Sequence, residues 1–280
     1  MATGATPKTP RVLDEPAFVL QAHDWSESSQ IIEVLSRHHG RVVLVAKGVK
    51  RPTSQFRAVL LPFQRLQVGW GGEADIKTLK QAAWHSGHVL PQGEALMSAY
   101  YLNELLLKLL ARDDPHPALF DHYGHTLQQL MGQAQRAEVL RAFELCLLRE
   151  AGYLPNLNEE ASSLAPVEPQ GSYRLVPDVG LQAVGPQAEW ACPGTLWLAL
   201  QDAMSATADA QVPEAEPETQ PAAPLLQRLL TVLTQAGPEH RSALRHQLRV
   251  LLHYHSGVRT FQTRQLLLDL PRLQVDRAPS

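Results

Sequence analysis

The residues with the clearest chemical bias lie between positions 37 and 57. Arg37, Arg41, Lys47, Lys50, Arg51 and Arg57 fall in a stretch with no aspartate or glutamate from Val34 to Gly72. Such a run gives one face of the molecule an uncompensated positive field, which attracts phosphates and releases their counterions. Phe56, Phe63 and Trp70 lie in or beside it, and aromatic rings are stacking platforms for bases. Trp70, however, shares a face with Leu66 and Val68, which alternate with Gln67 and Gly69, a period that places it on the buried face of a strand. An ordinary solvated face carries the same basic side chains, so the pattern leaves both readings open.

A second basic set is Arg241, Arg245 and Arg249. Spacing of four puts them on one helix face, without acids four residues away, while Leu244, Leu248, Leu251 and Leu252 turn toward a core. A polyanion would relieve their repulsion, and a solvated face is the competing reading. A third feature is apolar. Leu102, Leu105, Leu106 and Leu109, with Phe143, Leu147 and Leu148, supply more apolar surface than a thin bundle needs, and most of it must be core, leaving a residual groove. A groove formed by Phe143 and Leu147 and edged by Arg141 or Arg149 would accept an acidic, apolar peptide tail.

Patterns for catalysis are absent. There is no G-x-S-x-G, H-E-x-x-H or Walker A motif, and Ala46-Lys47-Gly48 has the wrong order for a phosphate-binding loop. His38-His39 and His253-x-His255 lack a third metal ligand at suitable spacing. The two cysteines, Cys146 and Cys192, are too few for a disulfide framework or a four-cysteine zinc site. The expectation is no enzyme, no metal and no cofactor.

The elements that must position these residues change character along the chain. Residues 1–15, rich in Thr, Pro and charge, read as a flexible tail. Short runs at 17–23, 29–36, 41–46, 66–70 and 75–82, punctuated by Gly40 and Gly71-Gly72, read as five strands of a small antiparallel barrel or sandwich over 16–84. After about residue 90 the period becomes helical: 96–110, 119–130 and 139–148, the last stopped by Gly152. Residues 155–190 are irregular, with a candidate hairpin at 173–176 and 180–184. Helices follow at 195–204, 225–233 and 240–253, interrupted by an Ala-, Pro- and Glu-rich segment at 205–224 that reads as an acidic disordered linker. The fold class is α+β, a β-domain followed by a mainly helical domain over 85–280.

Composition agrees with a globular chain: 280 residues, 44% hydrophobic and 19% charged, with a net charge of −3. That mild total hides an asymmetry. Residues 1–80 carry 11 Lys+Arg and 7 Asp+Glu, residues 81–240 carry 7 and 19, and residues 241–280 carry 7 and 2. Basic ends around an acidic middle suit a polyanion partner. No apolar run reaches membrane-spanning length and Met1–Arg11 has no apolar leader, so the expected location is the cytoplasm, without membrane contact.

Several ordered segments carry a family resemblance. Trp25-Ser26-Glu27-Ser28-Ser29, His39-Gly40-Arg41-Val42, Leu44 to Arg51 with its Ala46-Lys47-Gly48 turn, and Leu61-Pro62-Phe63 resemble the N-terminal domain of the bacterial RecO family of DNA repair proteins. The match continues through Ile76-Lys77-Thr78-Leu79, Tyr101 to Leu106, Phe143-Glu144-Leu145 and Gly152-Tyr153, and is weaker at Tyr254-x-x-Gly257 and Thr263-Arg264-x-Leu266. The resemblance implies an N-terminal OB-fold and a helical C-terminal domain. It also implies a nucleoid-associated, non-enzymatic mediator of repair and homologous recombination. Such a protein binds single- and double-stranded DNA, anneals strands coated by single-strand-binding protein and helps load the recombinase. Its implied partners are RecR and the C-terminal tail of single-strand-binding protein. Lys47, Lys50, Arg51 and Arg41 match the family's basic surface, and Lys77 joins them as a DNA-binding candidate. Many members carry a four-cysteine zinc module after Gly-Tyr; here Leu157–Ser163 contains no cysteine, so no zinc is expected. The alternative is an interaction adaptor that binds a peptide tail without touching DNA. A hydrolase or transferase lacks a visible nucleophile or metal cluster.

Overall fold

The computed structural model describes residues 11–85, 90–132, 135–206, 224–263 and 265. The first ten residues of the expected tail, most of the acidic linker (207–223) and Arg264 lie outside the described residues. The described chain divides into two compact units, one drawn from Met1–Gln92 and Leu110–Phe120 and the other from Gly93–Leu109 and Asp121–Ser280. Among the described residues, no helix is long and apolar enough to cross a membrane.

The first unit is a closed five-stranded barrel with strand order β1-β2-β3-β5-β4. Its strands are β1 (Arg11–Asp24), β2 (Gln30–Ser36), β3 (Gly40–Ala46), β4 (Arg65–Gly71) and β5 (Ile76–Trp84), with a short helix α1 (Phe56–Val59) between β3 and β4. Closure falls to β1, which pairs with β2 on one edge and β4 on the other. A register shift between Val19 and Gln21 lets it turn that corner. Alternate residues fill the interior: Ala17 and Val19 from β1, Ile32 and Val34 from β2, Val42 and Leu44 from β3, Leu66, Val68 and Trp70 from β4. Each such aliphatic side chain contributes about 1.5–3 kcal/mol of burial.

Two boundaries differ from the sequence reading. Residues 11–15 belong to the barrel rather than to a tail. Arg11 and Val12 pair with Gly71 and Trp70, and the buried Glu15 carboxylate accepts His38 N (2.7 Å) and contacts His38 Nδ1 (3.0 Å), pinning the β2–β3 hairpin. The charged, Pro-containing composition that suggested a tail conceals this capping role. Residues 110–120 also return to the barrel unit. Asp113 N donates to Arg41 O at 3.0 Å, and the Phe120 ring lies 5.0 Å from that of Phe18 on the barrel's outer face. Gly40 makes this approach possible: at φ +68°, a Cβ there would stand 2.0 Å from Asp114 O.

The second unit contains α2 (Gly93–Leu109), most of α3 (Pro117–Leu130), α4 (Arg136–Glu150), α5 (Gly194–Ser205), α6 (Pro224–Gln235) and α7 (Pro238–Ser256). It also holds a small sheet in the order β7-β6-β8, from β6 (Ser172–Val176), β7 (Gly180–Val184) and β8 (Cys192–Pro193). Pro at the start of α7 and the left-handed Gly257 at its end are its start and stop signals. The Gln247 side chain ties α7 to the sheet, accepting from Leu175 N and donating to Trp190 O. In the loop 157–168, Glu160 collects the backbone and hydroxyl donors of Ser162 and Ser163.

Candidate nucleic-acid interface

The basic residues of the barrel separate by the ends of its strands. Lys47 follows the end of β3, next to the β1–β2 loop; Arg37 and Arg41 flank the β2–β3 hairpin, at the far end of the same strand. The six steps from Arg41 to Lys47 span about 20 Å. The candidates of the 37–57 stretch therefore do not form a single patch.

The β1–β2 loop is a tight turn. Trp25 N and Ser26 N both donate to Ser29 O, at 3.1 and 3.3 Å, and Ser29 N donates to Ser26 Oγ at 3.2 Å. The chain leaving β3 is stitched to it: Lys50 N donates to Ser28 O (3.0 Å), and Gly48 N donates to Ser29 Oγ (3.4 Å). Lys50 Nζ reaches back to Ser26 O (2.9 Å) and to Asp24 (2.9 Å). Hydrogen bonds from Lys50 and Gln30 hold the Asp24 carboxyl below its ordinary range. Lys50 is thus a clamp on the loop, and its charge is answered by Asp24.

Between the two clipped loops opens a recess of about 400 Å³, lined by Trp25, Ser26, Ser28, Ser29, Lys47 and Arg51, with Val45 and Gly48. Lys47 and Arg51 are exposed, and neither has an acidic partner among the described residues. Arg51 crosses Gly48 closely enough that a Cβ there would lie 3.7 Å from its Cδ. Trp25 is 64% exposed. Arg57, on α1, is exposed and has no acidic partner among the described residues.

The other candidates have different surroundings. Arg41 Nε lies 3.2 Å from Glu33 Oε1, and Arg112 Nε lies 3.3 Å from the same oxygen. Burial lowers the Arg41 pKa while Glu33 raises it. Lys77 pairs with Asp113 at 2.8 Å, and Arg37 contacts the His38 ring. The acids come from outside the acid-free stretch: Glu33 from its border on β2, Asp113 from the returning segment. The aromatics of that stretch are core or pack against it, with Phe63 and Trp70 buried and Phe56 partly buried. The exposed Trp25 ring lies outside that stretch and was not among the sequence candidates. The signal was present, since a Trp between Asp24 and Ser26 in a Ser-rich turn has no apolar period to join.

In the helical unit, Arg241 Nε lies 3.4 Å from Glu138 on α4. The buried Glu144, also on α4, interacts with Arg249 and contacts Arg141. Tyr101 donates to Glu144 at 2.8 Å. Burial pushes the Glu144 carboxyl up, while Arg141, Tyr101 and Arg249 pull it down. The acids that answer this stripe sit on the neighbouring helix, which the i±4 rule does not see. Phe143 and Leu147 are fully buried. They are core rather than groove, because α4 is covered by α2, α6 and α7. A groove of about 380 Å³ does exist beside them, with Leu140, Leu233 and Leu244 among its lining and Arg141, Arg241 and Arg245 on it. Among the described residues no group of His, Cys, Asp and Glu could hold a metal.

Residues 11–88 match the family described as Recombination protein O N terminal, and residues 90–188 match Recombination protein O C terminal. The chain is 50% identical over 269 residues to the DNA repair protein RecO of Variovorax paradoxus, covering 94% of this chain and 98% of that one. It is 48% identical over 267 residues to the RecO of a Polaromonas species, covering 95% and 99%. The RecO of Delftia acidovorans is 50% identical over 270 residues. A closed five-stranded barrel followed by a helical unit, with both family regions matched in order and near-complete coverage at this identity, places the chain in the RecO family of non-enzymatic DNA repair and recombination mediators.

Proposed function

We propose that this chain binds single- and double-stranded DNA through Lys47 and Arg51, with Arg57 adding to the field, and anneals strands coated by single-strand-binding protein. One observation carries the reading: two exposed cations without acidic partners among the described residues converge on the recess beside the β1–β2 loop. In OB-folds that loop and the β2–β3 face are the usual oligonucleotide surface. Binding is electrostatic and largely independent of sequence. Bringing two strands to one positive surface lowers their mutual repulsion, so annealing requires no energy cofactor. Assistance to RecR in recombinase loading rests on the family alone.

The groove on α4, α6 and α7 supports a second contact. Its leucines and the exposed Arg245 suit the acidic, apolar C-terminal tail of single-strand-binding protein, while Arg141 and Arg241 on the same groove are already paired with Glu144 and Glu138. The adaptor reading would keep this contact and drop the DNA. Fluorescence anisotropy of labelled oligonucleotides over a salt series separates the two. A folded K47E/R51E variant is expected to lose DNA binding and annealing while still binding the tail peptide. DNA binding equal to wild type in that variant would overturn the assignment of the recess.

A further inference from the structure

The mediator reading needs both single- and double-stranded DNA; the recess itself treats them differently. Resting on the reading that this recess holds DNA, we infer that Trp25 makes it selective for single strands by stacking one unpaired base while Lys47 and Arg51 hold the flanking phosphates.

The argument starts from what the ring forgoes. Of the other aromatic side chains in the barrel unit, Phe18, Phe63 and Trp70 are at most 3% exposed. Trp84 is 56% exposed, but its indole N–H donates to Val59 O at 3.1 Å. Trp25 is 64% exposed, and its indole N–H has no partner among the described residues. A large apolar ring left in water has surface available for a ligand. Nor is it carried on a slack loop. The two amides donating to Ser29 O, the Lys50 clamp on Ser26 O and the Lys50 N bond to Ser28 O fix the backbone on which it stands, so little ordering entropy opposes binding.

The composition of the recess matches one nucleotide and little else. It offers one π-face and two cations. The hydroxyls of Ser26 and Ser29 already accept the backbone amides of Ser29 and Gly48, so they are engaged in holding the two loops together. Stacking is tolerant of sequence because every base has a π-face. A base in duplex is already stacked on both faces and gives the indole nothing to cover. Duplex therefore meets only Lys47 and Arg51, while a single strand meets all three. A base held by its face and phosphate keeps its pairing edge free, as annealing requires.

The test compares an oligothymidylate with a blunt duplex of equal length, by anisotropy, for wild type, W25A, W25F and K47E/R51E. W25A is expected to bind the single strand about tenfold more weakly, with duplex affinity unchanged. W25F, which keeps an aromatic face, should recover part of the loss. Tryptophan fluorescence gives an independent readout: oligothymidylate should quench wild type more than W25F. If W25A weakens both ligands equally, Trp25 merely shapes the loop and the inference is overturned. If W25A weakens neither while K47E/R51E abolishes binding, the inference fails and the recess still holds DNA. If W25A and K47E/R51E both bind like wild type, the reading on which it rests fails with it.

Discussion

The two ends of the barrel contain the same kinds of residue and make opposite use of them. At the β2–β3 hairpin end, the Arg41 guanidinium is mostly buried, with Glu33 and the returning Arg112 forming a three-membered ion cluster. At the β1–β2 loop end, Lys47 and Arg51 stand exposed, with no acidic partner among the described residues and Trp25 beside them. The difference teaches that a basic run in sequence is not a positive field in space. Acids from other parts of the chain decide which of its charges remain available, and the available ones are those that a polyanion can use.

Separating stability from binding would break or sharpen this contrast. The largest effect is expected from E33A. It removes the buried carboxylate that faces the partly buried Arg41; deleting one partner of a fully buried pair costs about 3–5 kcal/mol, and because Arg41 is only partly buried and Arg112 is mostly exposed, the lower value is the ceiling. Urea unfolding should show a loss of up to about 3 kcal/mol, with affinity for DNA little changed in the fraction that remains folded. A variant as stable as wild type would mean the cluster is ornamental and that the two ends differ less than the geometry implies.

Removing the two free cations should do the reverse. K47A/R51A takes away two phosphate contacts worth about 0.7 each in the salt slope on single strands. The slope should therefore flatten by about 1.4 and affinity near 0.15 M salt should fall about tenfold. Stability should stay within about 0.5 kcal/mol, the range for exposed positions. K50A comes next. Its solvent-screened ion pair with Asp24 adds little to stability, but losing the Lys50 clamp frees the β1–β2 loop. The expected result is a small loss of single-strand affinity together with faster hydrogen exchange at Trp25 and Ser26. A Lys50 that bound phosphate directly would instead steepen the salt response of wild type relative to K50A by a full contact.

Much of this was legible before the structure, and what was not follows a physical rule. Period-two alternation at Leu66, Val68 and Trp70 foretold the barrel core, and Gly237-Pro238 with Gly257 framed α7. These are local signals, read within one element. Long-range pairing escaped. Nothing near Arg41 announces Arg112, nothing near Lys77 announces Asp113, and nothing near Arg241 announces Glu138 on another helix. The groove beside α4 was anticipated, but with the wrong lining. Phe143 and Leu147 are apolar enough for either role, and only the packing of neighbouring helices decides that they are core. Trp25 lies outside the basic run, and only its polar neighbours Asp24 and Ser26 mark it in the sequence as a ring without a core to enter.

The smallest expected effect concerns a charge managed in neither of these ways. Glu160 has no basic partner among the described residues, yet it is not left to solvent. Ser163 N at 2.7 Å and Ser163 Oγ at 2.6 Å donate to it, as do Ser162 N at 3.1 Å and the Ser162 hydroxyl. These donors favour the ionised form and bring its pKa down to about 2. A carboxylate that is lower in the folded state than its ordinary 4.5 contributes stability above that value and loses it as pH falls toward about 2. E160Q should therefore melt below wild type at neutral pH. The gap should narrow on acidification through that window and close near its lower end. Within the second unit the loss of protection should centre on the 157–168 loop, leaving the barrel and its DNA affinity untouched. A gap that persists unchanged to pH 2 would assign the loss to the shape of the side chain. It would also show that this loop does not depend on a fixed negative charge, unlike the dependence on fixed positive charges proposed for the recess.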